Sequence, residues 1–100
     1  MEILKSMLAQ NPADTFARYG LAMEYTNRGE LDQAIAEYRA LLESNPNYAA
    51  AYFHGGQALE KLGRVEEARE IYQKGIEVTT RTGDAHTRSE LQGALDMLPV

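Results

Sequence analysis

The chain has no cysteine, which removes disulfides, thiolate metal sites and cysteine nucleophiles and suits a reducing compartment. It has no run of about eighteen apolar residues that could span a bilayer, and no basic start followed by an apolar core that would read as a secretory signal. The cytoplasm is therefore the expected location, with no membrane partner. Cationic charge is also scarce. Ten lysines and arginines stand against fifteen aspartates and glutamates, a net charge of −5 with a pI near 4.9. Nucleic-acid binding depends on a basic footprint, so no nucleic-acid partner is expected, and a basic or neutral protein partner fits better.

Reactive chemistry is missing as well. No nucleophile has a base beside it at recognisable spacing, so no enzymatic activity is expected. The two histidines, His54 and His86, have no second histidine, cysteine or paired carboxylate at ligand spacing, which leaves neither a metal site nor a cofactor to expect. Gly55-Gly56 lacks the lysine and hydroxyl residue of a phosphate loop and falls inside a helical pattern.

What the chain does contain is a repeat. The stretch from Asn11 to Pro46 recurs thirty-four residues further on: Asn11-Pro12 becomes Asn45-Pro46, Gly29 becomes Gly63, Ala34 becomes Ala68, and Tyr38 becomes Tyr72. Internal repetition decides a fold before any other signal. Within the unit, Leu21, Ala22, Tyr25, Ala34, Tyr38, Leu41 and Leu42 fall at helical spacing, and Asn27-Arg28-Gly29-Glu30 interrupts them. Each unit reads as helix, tight turn, helix. Asn11-Pro12 ends the leading helix and begins the next, which runs from Ala13 to about Arg28 with Asn11 as its cap and Pro12 in its first turn. The second helices run from Asp32 to Ser44 and from Glu66 to Thr79. Gly29 and Gly63 suit the turns because they take left-handed dihedrals without steric cost. Glu70 with Lys74, and Glu77 with Arg81, are spaced as helical ion pairs.

Two helices on this period, with small residues at the crossings and a closing proline, resemble the tetratricopeptide repeat. The first unit, 15–48, supplies Leu21, Ala22, Tyr25, Gly29, Ala34, Tyr38 and Pro46, but has Arg18 where the family favours tryptophan. The second, 49–82, supplies Tyr52, Gly56, Gly63, Ala68 and Tyr72, with Gly55 and Leu59 at the leucine and tyrosine positions and Thr80 in place of the closing proline. Residues 1–11 read as a leading helix with Ile3, Leu4, Met7 and Leu8 on one stripe, the second helix of a preceding unit. Residues 84–98 read as a capping helix. The expected fold is all-α, an antiparallel helix-turn-helix array of about six helices in one domain.

In such arrays the first helix of each unit lines a concave groove. The resemblance therefore implies a groove carrying Phe16, Tyr19, Met23, Thr26 and Asn27 in the first unit, and Ala50, Phe53, Gln57, Glu60 and Lys61 in the second, with His54 beside them. Exposed aromatics and methionine are what a surface for a partner helix or extended peptide uses. The alternative for Phe16, Tyr19 and Phe53 is packing between units or under the flanking helices. Some family members clamp a carboxylate with lysine and asparagine; here those asparagine positions hold Gly20 and His54, and no such clamp is expected. The function that follows is a protein-protein interaction module, with self-assembly into a homo-oligomer through the first-helix face or the open amino-terminal end as the alternative. Two units with two flanking helices sit near the about three units normally needed for stability.

Overall fold

The computed structural model describes residues 1–99. Its described residues form six helices: α1 (Glu2–Gln10), α2 (Thr15–Asn27), α3 (Leu31–Ser44), α4 (Ala49–Lys61), α5 (Val65–Thr82) and α6 (Ala85–Asp96). Each helix packs on its neighbour in sequence, and α4 also touches α6. The stack extends over 40 × 29 × 18 Å. The all-α class and the helix count agree with the expectation from sequence.

Gly29 and Gly63 both have φ of 76°. At each, the amide two residues past the C-cap folds back to an earlier carbonyl: Glu30 N to Tyr25 O and Arg64 N to Leu59 O, both at 2.9 Å. This closes α2 and α4 in the same way.

The helix starts depart from expectation. Asn11 ends α1 as expected but does not cap α2; its side chain accepts from the Ala13 amide at 3.1 Å. The cap of α2 is Asp14, whose carboxylate accepts from the Ala17 amide at 3.1 Å. Pro12 thus stops the preceding helix, as a proline just past a C-cap does. Asp84 caps α6 in the same manner, and its bond to the Thr87 amide holds its carboxyl below the ordinary range. The end of α5 also differs. With threonine instead of proline at position 80, nothing interrupts the helix at Thr79, and it runs on to Gly83, where φ is 80°.

Two apolar clusters hold the stack. Ala22, Ala34, Tyr38, Leu41 and Ala51 form the first, and Ile35, Tyr52, Ala58, Leu59, Ala68, Tyr72, Val78, Leu91 and Leu98 the second. Burial of a leucine-sized side chain contributes about 1.5–3 kcal/mol, so these residues carry most of the fold. Gly55 belongs here too. A Cβ on it would lie 3.1 Å from Ile71 Cδ1 and 3.5 Å from Tyr38 Cβ, so the glycine lets α4 sit against α3 and α5. On α1, Leu4 reaches Gly20 of α2, but no α1 residue is fully buried and Ile3 is 78% exposed. The expected stripe is wider than the contact it makes, and Ile3 falls outside it.

The expected pairs Glu70–Lys74 and Glu77–Arg81 do not form among the described residues. Arg81 instead donates to Asn47 Oδ1 at 2.8 Å, a position that the lengthened α5 lets it reach.

Candidate functional site

Position within the first helices decides what each groove residue does. Phe16, Tyr19, Met23 and Asn27 follow one another along α2 at spacings of three and four, so they share a face. Phe53, Gln57 and Lys61 do so on α4. Phe16 is 73% exposed, and Asn27, Gln57, Glu60 and Lys61 are exposed as well, while Tyr19, Met23, Thr26, Phe53 and His54 are half-buried.

Three of these residues direct a polar atom to a buried tyrosine. Tyr38 is fully buried on α3, and its hydroxyl donates to Met23 Sδ at 3.1 Å and lies 3.3 Å from Thr26 Oγ1. Thr26 itself donates to the Ala22 carbonyl at 2.9 Å. One unit later the buried Tyr72 donates to Glu60. Burial, then the bond to Glu60 and its charge, push the Tyr72 phenol far above its ordinary range. A buried hydroxyl left without a partner would cost about 1–3 kcal/mol. Met23, Thr26 and Glu60 are thus engaged with tyrosines of the second helices.

The remaining aromatics converge. Tyr19 of α2 lies 5.2 Å, centroid to centroid, from Tyr48 at the start of α4 and 6.0 Å from the His54 ring. His54 in turn meets Phe53 edge-on at 5.5 Å. These separations and tilts fall in the favourable range for aromatic pairs. The result is a continuous, partly exposed aromatic strip across α2 and α4, with Phe16 standing out at its α2 side. Burial lowers the His54 imidazole below its ordinary range, and the Glu90 carboxylate on α6 pulls in the opposite direction.

Tyr48 and Glu90 were not among the groove residues expected from sequence. Tyr48 precedes its helix, where the thirty-four-residue register shows only the end of a unit. Glu90 lies on α6, which continues the row of first helices with a changed spacing. Thirty-four residues separate the cap positions Asp14 and Tyr48, but thirty-six separate Tyr48 and Asp84, because α5 is longer than α3. The cap sequence Thr82-Gly83-Asp84 was the available signal.

Apart from the strip, α3, α4 and α5 border a cleft of about 400 Å³ lined by apolar Leu42, Pro46, Tyr52 and Ile71 and by charged Arg39, Glu43, Glu67, Glu70 and Lys74. Arg39 and Glu67 close part of its rim with a 3.0 Å ion pair. Among the described residues no group of three histidine, cysteine or acidic side chains could hold a metal ion. No described helix is long and apolar enough to cross a membrane.

Comparison with known proteins places this geometry. The family model described as tetratricopeptide repeat matches residues 19–85. A TPR repeat-containing protein of Pseudomonas aeruginosa is 26% identical over 91 residues, covering 91% of this chain and 87% of that protein. The solution structure of a tetratricopeptide repeat domain protein from Salinibacter ruber superimposes with a TM-score of 0.79 at 38% identity, over 85% of this chain and 86% of the other. The crystal structure of YrrB, described as a TPR protein with an unusual peptide-binding site, superimposes with a TM-score of 0.81 at 26% identity, over 94% of this chain and 45% of YrrB.

Proposed function

Since the chain belongs to the tetratricopeptide repeat family, we propose that it is a protein-interaction module that holds a helical or extended segment of a partner in the groove of its first helices. The observation that carries this reading is the aromatic strip of Tyr19, Tyr48, His54 and Phe53, with Phe16 exposed beside it. An exposed phenylalanine next to half-buried aromatics offers large apolar area at small conformational cost, which is what anchors an interface. Gln57, Asn27 and Lys61 supply polar contacts at the edges, and the peptide-binding site named for YrrB agrees in kind. The compartment we propose is the cytoplasm, on the cysteine-free composition.

The test begins with peptides selected from a random displayed library on the purified protein. Phe16→Ala together with Gln57→Ala should weaken those peptides at least about tenfold, or roughly 1.4 kcal/mol, while leaving the melting temperature within a degree or two. Peptides that bind these variants as well as the parent, or that compete at the Arg39–Lys74 cleft, would place the site elsewhere.

A second reading, assembly between copies, is favoured by α1, which buries no residue fully and exposes Ile3. Sedimentation equilibrium over a wide concentration range decides it. A concentration-dependent dimer lost in Ile3→Ser supports assembly, and a monomer throughout removes it.

A further inference from the structure

We infer that the partner segment is basic: an arginine or lysine laid on the Tyr19–Tyr48–His54 part of the strip, its charge paired with Glu90, beside an apolar residue against Phe16. This rests on the groove reading above and adds the chemistry of what the groove accepts.

The charges around the strip decide the sign. The α2 face contributes none, since Phe16, Tyr19, Met23 and Asn27 are all uncharged. On α4, Glu60 is engaged by Tyr72, and Lys61 lies seven residues beyond His54, about 10 Å along the helix. On α6, which packs against α4, Glu90 follows His54 by the same thirty-six residues that separate the caps Tyr48 and Asp84, so it takes the equivalent place on the next helix, and its charge acts on the imidazole. Its carboxylate is 45% exposed, and its one ion-pair partner among the described residues is His86, at 3.8 Å. Burial disfavours the His54 cation, and the centre of the strip holds one carboxylate and no lysine or arginine.

The nearby cations are directed elsewhere. Arg18 binds Glu37 at 2.7 Å and the Pro12 carbonyl at 3.0 Å. Arg88 is two residues from Glu90, hence roughly 200° around α6. An acidic segment would meet Glu90 with nothing to offset it, whereas a cation finds both a carboxylate and ring faces. Aromatic faces attract cations, and the net charge of −5 favours the approach of a basic chain.

A cation over an exposed ring and an exposed ion pair are each worth roughly two- to fivefold in affinity. Together they predict about a tenfold preference. The test uses two short synthetic peptides of the same leucine-rich sequence, one carrying arginines and the other glutamates. Both are titrated into the isotope-labelled full chain and followed by NMR. The arginine peptide should bind about tenfold tighter, shift Tyr19, Tyr48 and His54, and lose most of its advantage in Glu90→Gln. That variant changes an exposed side chain and should leave the fold intact.

Equal binding of both peptides in the groove, or preference for the glutamate peptide, overturns the inference while the groove reading stands. Shifts centred on the Arg39–Lys74 cleft, or no binding by either peptide, overturn both.

Discussion

The ring of Tyr72 in α5 occupies the space where a Cβ on Gly56 of α4 would have to lie. Tyr72 is fully buried, so the ring has nowhere to retreat, and the closeness of the two helices depends on the missing methyl group. Gly75 repeats the relationship within α5: a Cβ there would come within 2.7 Å of Tyr52 Cβ and 2.8 Å of Leu91 Cδ1.

Gly56→Ala and Gly75→Ala should therefore each destabilise the fold by about 1–3 kcal/mol through overpacking. Gly93→Ala meets nothing within 4 Å and should stabilise α6 by about 0.5–1 kcal/mol through helix propensity. Urea denaturation of the three variants separates the two classes by sign.

Tyr72→Phe should cost about 1 kcal/mol, the net worth of a buried hydrogen bond. Its effect should also depend on pH. Burial raises the phenols of Tyr38, Tyr52 and Tyr72 above their ordinary value, so the folded chain keeps protons that the unfolded chain releases near pH 10. This part of the stability is complete below about pH 10 and is lost as the pH rises above it. Denaturation midpoints from about pH 8 to about pH 11 should fall at the alkaline end, and less steeply in Tyr72→Phe.

His54 should titrate below 6.5, because burial disfavours its cation. Tyr19 of α2 and Phe53 of α4 lie against the His54 ring, Tyr48 lies against Tyr19, and the Glu90 carboxylate of α6, itself 3.8 Å from His86, acts on the imidazole through its charge. Removing the opposing carboxylate in Glu90→Gln should lower the midpoint further. The unfolded chain takes up this proton near 6.5 and the folded chain only at lower pH, so the associated stability is lost as pH falls below about 6.5. An NMR midpoint above 6.5 would show that the carboxylate, and not burial, governs the imidazole.

The pair Arg18–Glu37, at 2.7 Å with side chains 20% and 21% exposed, should show a coupling of about 1 kcal/mol in a double-mutant cycle. Arg39–Glu67, at 3.0 Å with side chains 50% and 39% exposed, should show only a few tenths, since water screens it.

Arg18 also shows how far the sequence could be read. The register marks it as a departure from the family's aromatic. In the structure its guanidinium reaches the Pro12 carbonyl at 3.0 Å, and the hydroxyl of Tyr52, thirty-four residues on, reaches the Pro46 carbonyl at 2.7 Å. The same turn is tied down in both units by different chemistry. Thr26 and Glu60 do the same for the phenols of Tyr38 and Tyr72. Register preserved these positions, but the identity of the atoms that meet there follows from side-chain length and cannot be read from period alone.

The sequence by itself determined the all-α class, the thirty-four-residue unit, the glycine turns at Gly29 and Gly63 and the small residues at the crossings. These depend on local sterics and on periodicity, which a linear chain displays directly. Tertiary structure alone decided that Asp14 caps α2, that Met23, Thr26 and Glu60 turn toward buried tyrosines, and that Tyr48 and Glu90 join the aromatic strip. Each of these depends on how far one helix is displaced against another. The longer α5 shifts α6 out of the thirty-four-residue register, and only the packed stack shows which side chains that displacement brings together.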